Sequence, residues 1–262
     1  MARYFLVVFS ILISGQCLAG GSIEFVNWYA TFLHALGMHD HHAVHEWMAV
    51  CSSGLVLLFL TLVGLKFRIH INNLGDNIIP SRSFGFMTFV EMIMEFIYSL
   101  VQGVIGEGQF KKYMPLMSTI FLFIFFCNLS GMIPGFPPAT ENFSSNLAMG
   151  FTIFLVYNFA GIKEHGFAYI KQFTGPILLL VPLMFIIETV GHIARPLSLS
   201  LRLMGNIFGD HLVFGVLASF PVIGWVFPGL FLFFGLLVAS IQSLVFTLLS
   251  SIYVSMAVSH DH

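Results

Sequence analysis

The chain has 262 residues, 58% of them hydrophobic and only 8% charged, with a mean hydropathy of +0.93. A soluble domain carries about a quarter of its residues as Asp, Glu, Lys or Arg, so the deficit excludes an ordinary water-soluble fold and predicts an all-α, polytopic membrane protein. The net charge of −2 identifies no partner, and no basic patch or tail points to nucleic acid.

The first segment, "MARYFLVVFSILISGQCLAGG", has a basic start at Arg3, an apolar stretch from Phe5 to Ile13, and small residues at Cys17 and Ala19. That order predicts a signal peptide over residues 1–19, cleaved after Ala19. A short uncleaved anchor is the alternative. Residues 20–46 form an aromatic, His-rich outer segment, and residues 47–262 a membrane domain. His41 and His45 stand at i, i+4, a spacing that a helix uses for metal ligands. No second ligand set accompanies them, so a docking segment at the outer surface is favoured and no metal is expected. Cys17, Cys51 and Cys127 are far apart and form no metal-ligand spacing.

The first predicted span covers residues 47–65. Residues 86–105 differ: Thr88, Glu91, Glu95, Ser99 and Gln102 recur at helical spacing, a polar stripe on an otherwise apolar helix. Such a helix lies at the membrane surface or packs against a partner. Spans follow over residues 114–133 and 147–162, separated by the Pro-rich loop "GMIPGFPPATENFSSN".

Residues 66–112 hold five Lys/Arg, residues 163–171 hold two, and residues 134–146 hold none. The positive-inside rule places the first two segments in the cytoplasm and the third outside. The mature N-terminus is then outside and the C-terminus cytoplasmic.

The last two apolar segments, 176–220 and 222–258, are too long for simple spans. The first numbers 45 residues, about 67 Å as a helix, against a bilayer core of about 30 Å. A long tilted hairpin is predicted, with Pro196 able to kink its first arm and Pro221 and Pro228 marking its turn. The count is about five membrane helices plus the amphipathic one.

On the first arm, Glu188, His192, Arg195, Arg202 and Asn206 fall on one face of an unbroken helix. Intramembrane ionisable residues cost a few kcal/mol each, and they often mark ion pathways. Arginine keeps its charge when desolvated, so it lowers the pKa of an opposing carboxylate rather than passing a proton along. That property fits a gate between two proton pathways. A structural salt bridge from Arg202 to Asp210 or Glu188 is the alternative. Arg195, next to Pro196, is placed near the cytoplasmic surface, where it can snorkel. Gly205 and Gly209 make a GxxxG step that permits close approach of another helix. His211 lies nine residues past Arg202, about 180° around the helix. It lines a separate aqueous path or is hydrogen-bonded within the bundle. On the second arm, Gln242 stands out among packing hydroxyls.

"RPLSLSLRLMGNIFGDHLVF" strongly resembles the arginine-bearing helix of subunit a of F-type ATP synthases. "SIQSLVFTLLSSIYVSMA" is similar to that family's last helix, and "NLSGMIPGFPPATENFSSNLAMG" to its outer loop. The resemblance runs from about residue 45 to the C-terminus. It implies an inner-membrane stator subunit that faces a rotating ring of c subunits and is held by peripheral-stalk b subunits. Two offset half-channels would carry H⁺, or Na⁺, to and from a ring carboxylate. In that family the arginine matched by Arg202 displaces the proton and blocks leakage. Asn206 and Gln242 match polar partners near it. Glu188 and Ser198 match further polar positions of the path. His211 matches one half of a carboxylate–histidine pair whose other position is Gly235 here, which leaves Asp210 or Glu141 to supply the carboxylate.

No GxxxxGK[ST] loop is present, so direct nucleotide binding is not expected, and no cofactor is called for. A stand-alone secondary transporter with Arg202 as an anion site is the competing reading, but the chain shows no duplicated half. HExxH is absent, and no serine or cysteine stands beside a convincing base.

Overall fold

A computed structural model describes residues 27–35, 37, 40–74, 85–106, 108–133, 135–166, 169, 181–218 and 223–258. The signal-peptide segment, Cys17, the basic residues Arg82 and Lys171, the hairpin turn at Pro221 and the C-terminal "SHDH" lie outside these residues. Among the described residues seven helices follow in order: α1 (Trp28–Ala35), α2 (His41–Leu74), α3 (Phe86–Ile105), α4 (Phe110–Ser130), α5 (Phe143–His165), α6 (Val181–Ala218) and α7 (Ile223–Val258). A 3-10 turn, Ala139–Glu141, interrupts the Pro-rich loop between α4 and α5, and no strand occurs among the described residues.

Local chemistry sets several boundaries. Asn27 caps α1, its Oδ1 accepting from the N–H groups of Tyr29 and Ala30 at 3.1 and 3.2 Å. Asn142 caps α5 by accepting from Ser144 N at 3.1 Å. Gly106 ends α3 with φ 86°, a region that side chains rarely enter.

Among the described residues five stretches are long and apolar enough to cross a membrane: Glu46–Ile69, Thr88–Ile105, Phe110–Ser130, Phe143–His165 and Phe233–Val258. The number matches expectation, but the membership differs. The amphipathic helix α3 qualifies, with Ile97 and Val101 buried against the bundle while Glu91 and Glu95 are exposed. α6 does not qualify, because Glu188, Arg195, Arg202 and Asp210 all lie on it. α6 is nevertheless one continuous helix of 38 residues that runs through Pro196, about 57 Å long.

α5 and α7 both pack along α6, and α7 also lies against α3, α4 and α5. Lipid is as apolar as a leucine side chain, so close packing and interhelical hydrogen bonds hold such helices together. Both are present. Gly150 of α5 lies so close to α6 that a Cβ there would stand 2.7 Å from Pro196 O. A buried polar chain ties four elements together. Thr140 Oγ1 donates to Asn128 Oδ1 at 2.8 Å, Asn146 Nδ2 to Thr140 O at 2.7 Å, and Ser200 Oγ to Asn146 O at 3.0 Å. On α7 the buried hydroxyls of Thr247 and Ser250 donate to their own helix, at Ser243 O and Phe246 O.

Candidate functional site: one polar face with two ends

The polar stripe of α6 is one face, and what covers each end differs. At the Arg202 end the face is open. Arg202 and Asn206 are both exposed, as are Leu201 and Phe208 of α6 and Phe234, Leu237 and Ile241 of α7. Arg202 makes no ion pair or hydrogen bond among the described residues. Asn206 Nδ2 donates to Gln242 Oε1, which joins α6 to α7. Gln242 is buried, and its Nε2 has no hydrogen-bond partner among the described residues. Gly205 and Gly209 meet nothing within 4 Å of an added Cβ, so their GxxxG step is not used by any described helix of this chain.

At the other end, about 21 Å along the helix at 1.5 Å per residue, the face is covered. Glu188 pairs with Arg195 at 3.5 Å and lies 3.4 Å from His192 Nδ1. His192 Nε2 meets the Tyr169 hydroxyl at 3.3 Å. The Arg195 guanidinium stacks over the Tyr253 ring at 5.4 Å and the Tyr157 ring at 6.0 Å. Arg195 therefore does not snorkel alone. Its partner is Glu188, which answers the question of an Arg202–Glu188 bridge: Glu188 is committed elsewhere.

Ser198 is exposed and bonds its own helix at Arg195 O. Asp210 is half-buried on α6. The backbone of His211 continues the helix, but its side chain lies outside the described residues, as do those of His41, His42 and His45. Glu141 is half-buried in the 3-10 turn. Beside Gly235 stands Met132, whose Cε would be 3.2 Å from an added Cβ. Cys127 is fully buried. Among the described residues no group of three His, Cys, Asp or Glu side chains is placed to hold a metal.

A family model described as ATP synthase A chain matches residues 47–255. The chain belongs to this family. It is 42% identical over 219 residues to "ATP synthase subunit a" of Bdellovibrio bacteriovorus, covering 83% of this chain and 94% of that one. The subunit a of Geobacter sp. (strain M21) is 36% identical over 238 residues, covering 91% and 97%. That of Geobacter sulfurreducens is 38% identical over 214 residues, covering 82% and 89%. Membership of the ATP synthase A chain family, together with several apolar helices, makes this a multi-pass membrane protein.

Against that identity, the residues that sequence reasoning passed over are Tyr157, Asn158, Tyr169 and Tyr253. They come from α5, from residue 169 and from α7, and they converge on Glu188, His192 and Arg195. No spacing in the sequence announces such a convergence. The one local signal is small: Gly161 leaves room for the Tyr169 ring, whose Cε2 would lie 2.3 Å from a Cβ there.

Proposed function

We propose that the chain translocates protons at an interface with the c-ring of an F-type ATP synthase, through two offset half-channels that Arg202 keeps apart. The observation that carries this reading is Arg202 itself. It is a permanent cation, exposed at the open end of the polar face of α6, with no ion pair or hydrogen bond among the described residues. An arginine at the centre of a membrane helix costs at least about 2.5 kcal/mol on insertion scales. A carboxylate on another chain offsets that cost and is held ionised by it. The open glycines Gly205 and Gly209 leave the same face free for close approach of a helix from outside the chain. Asn206 and Gln242 orient the surroundings of the guanidinium. Glu188 and Ser198 serve the cytoplasmic half-channel, and Asp210 and His211 the outer one.

In this reading the protein lies in the inner membrane with its mature N-terminus outside, after signal cleavage behind Ala19, and its C-terminus in the cytoplasm. Peripheral-stalk b subunits hold it against the torque of the ring. The translocated ion is H⁺. The test is Arg202→Ala in the whole complex, reconstituted into vesicles. The complex assembles and ATP-driven pumping is lost. Normal coupled pumping by that variant overturns the gate.

A further inference from the structure

The short helix α1 takes no part in the gate, yet its side chains are sorted into three sectors. Tyr29 and Leu33 are buried, Trp28 and Phe32 are 52% and 58% exposed, and Thr31 and His34 are exposed polar residues. At 3.6 residues per turn the three pairs centre about 100–150° apart around the helix. A helix lying between protein and water needs only two sectors, one buried and one polar. The third sector of α1 is aromatic, and no described part of this chain covers it.

Two contacts fix the depth of α1. Asn27 Nδ2 donates to Met48 Sδ at 2.9 Å, in the first turn of the apolar stretch Glu46–Ile69. Trp28 N donates to Gly135 O at 3.1 Å, and the Tyr29 ring meets the Phe136 ring edge-on at 5.4 Å. Gly135 and Phe136 lie in the loop just past the end of the stretch Phe110–Ser130. One apolar stretch begins and another ends where α1 docks, so the helix sits at the edge of the hydrocarbon and not out in water. Trp47, next to Met48, is exposed at the same edge, and exposed Val50, Leu57 and Leu58 carry the apolar surface onward along α2. Tryptophan is enriched at that edge of a bilayer, because its ring is apolar while its N–H seeks a hydrogen-bond partner.

We propose that α1 is an interfacial helix whose partner is the lipid surface on the side of the α4–α5 loop, the side that the charge bias of the loops makes the outer one. Trp28 and Phe32 dip into the boundary between headgroups and acyl chains, Thr31 and His34 face water, and Tyr29 and Leu33 hold the protein. The proposal stands whether or not Arg202 is a gate, since it uses only the location of the chain in a membrane.

The test places a nitroxide on Phe32→Cys or on Thr31→Cys in the whole complex, in a background without other reactive cysteines, reconstituted into vesicles of phosphatidylethanolamine and phosphatidylglycerol. Collisions with oxygen, which concentrates in lipid, are compared with collisions with a nickel chelate confined to water. At position 32 oxygen is expected to exceed the chelate several-fold, and at position 31 the order is expected to reverse. Chelate dominance at both positions puts the aromatic sector in water and overturns the proposal. Low access of both reagents at position 32 means that another protein chain covers the sector, and it overturns the proposal equally. Oxygen dominance at both positions submerges the whole helix and rejects the interfacial placement. Both side chains are exposed, so neither substitution opens the core. If Phe32→Cys does not assemble, Trp28→Cys is read by the same criterion.

Discussion

Asn206 on α6 donates a hydrogen bond to the side-chain carbonyl of Gln242 on α7, one helical turn beyond Arg202. The exposed partner lies on the open face, and the buried one lies in the packed interior of the hairpin. The bond thus fixes the position of α7 relative to the arginine.

Gln242→Ala tests this coupling. The variant leaves the Asn206 amide without its partner and opens space at a buried position. Loss of a partner at such a site costs about 1–3 kcal/mol. Assembly of the complex is expected to survive, because neighbouring hydroxyls such as Thr247 and Ser250 bond within α7. ATP-driven pumping in vesicles is expected to fall by up to about tenfold, the factor that about 1.4 kcal/mol represents when the lost bond is felt in the coupled step. Native rates in Gln242→Ala would mean that the bond has no part in coupling.

Gly150→Ala tests how α5 holds α6. The new methyl group would stand 2.7 Å from Pro196 O and 2.8 Å from Ser200 Oγ. The first of these is backbone and cannot swing away, so the two helices must separate. Overpacking of this kind costs about 1–3 kcal/mol. A lower thermal stability of subunit a within the purified complex is the expected measurement. Gly191→Ala, where an added Cβ meets nothing within 4 Å, serves as the control and is expected to be nearly neutral.

Orientation, and the course of α3, are read by cysteine labelling with a membrane-impermeant maleimide in a background without the native cysteines. Ile133→Cys, exposed in the loop after α4, is expected to label from outside, and Lys163→Cys, exposed near the end of α5, only in inverted vesicles. Arg82→Cys and Lys111→Cys flank α3. Both label from the cytoplasmic side if α3 lies along the surface, and they label from opposite sides if it crosses, as its length and apolarity permit.

The composition and the placement of apolar runs determine by themselves that this chain is helical and membrane-embedded, because a bilayer core admits only backbone that satisfies its own hydrogen bonds. The long final hairpin follows from run length, and the family follows from the run of residues around Arg202. The sequence also shows Glu188, His192, Arg195, Arg202 and Asn206 on a single helical face, since periodicity is a property of one helix. It does not show which end of that face is covered. Burial is conferred by other elements, and only the packing of α5, α7 and Tyr169 onto the Glu188 end separates a paired Arg195 from a bare Arg202. For the same reason the contact between His192 Nε2 and the Tyr169 hydroxyl appears nowhere in the sequence: tertiary folding alone brings the two within 3.3 Å of each other.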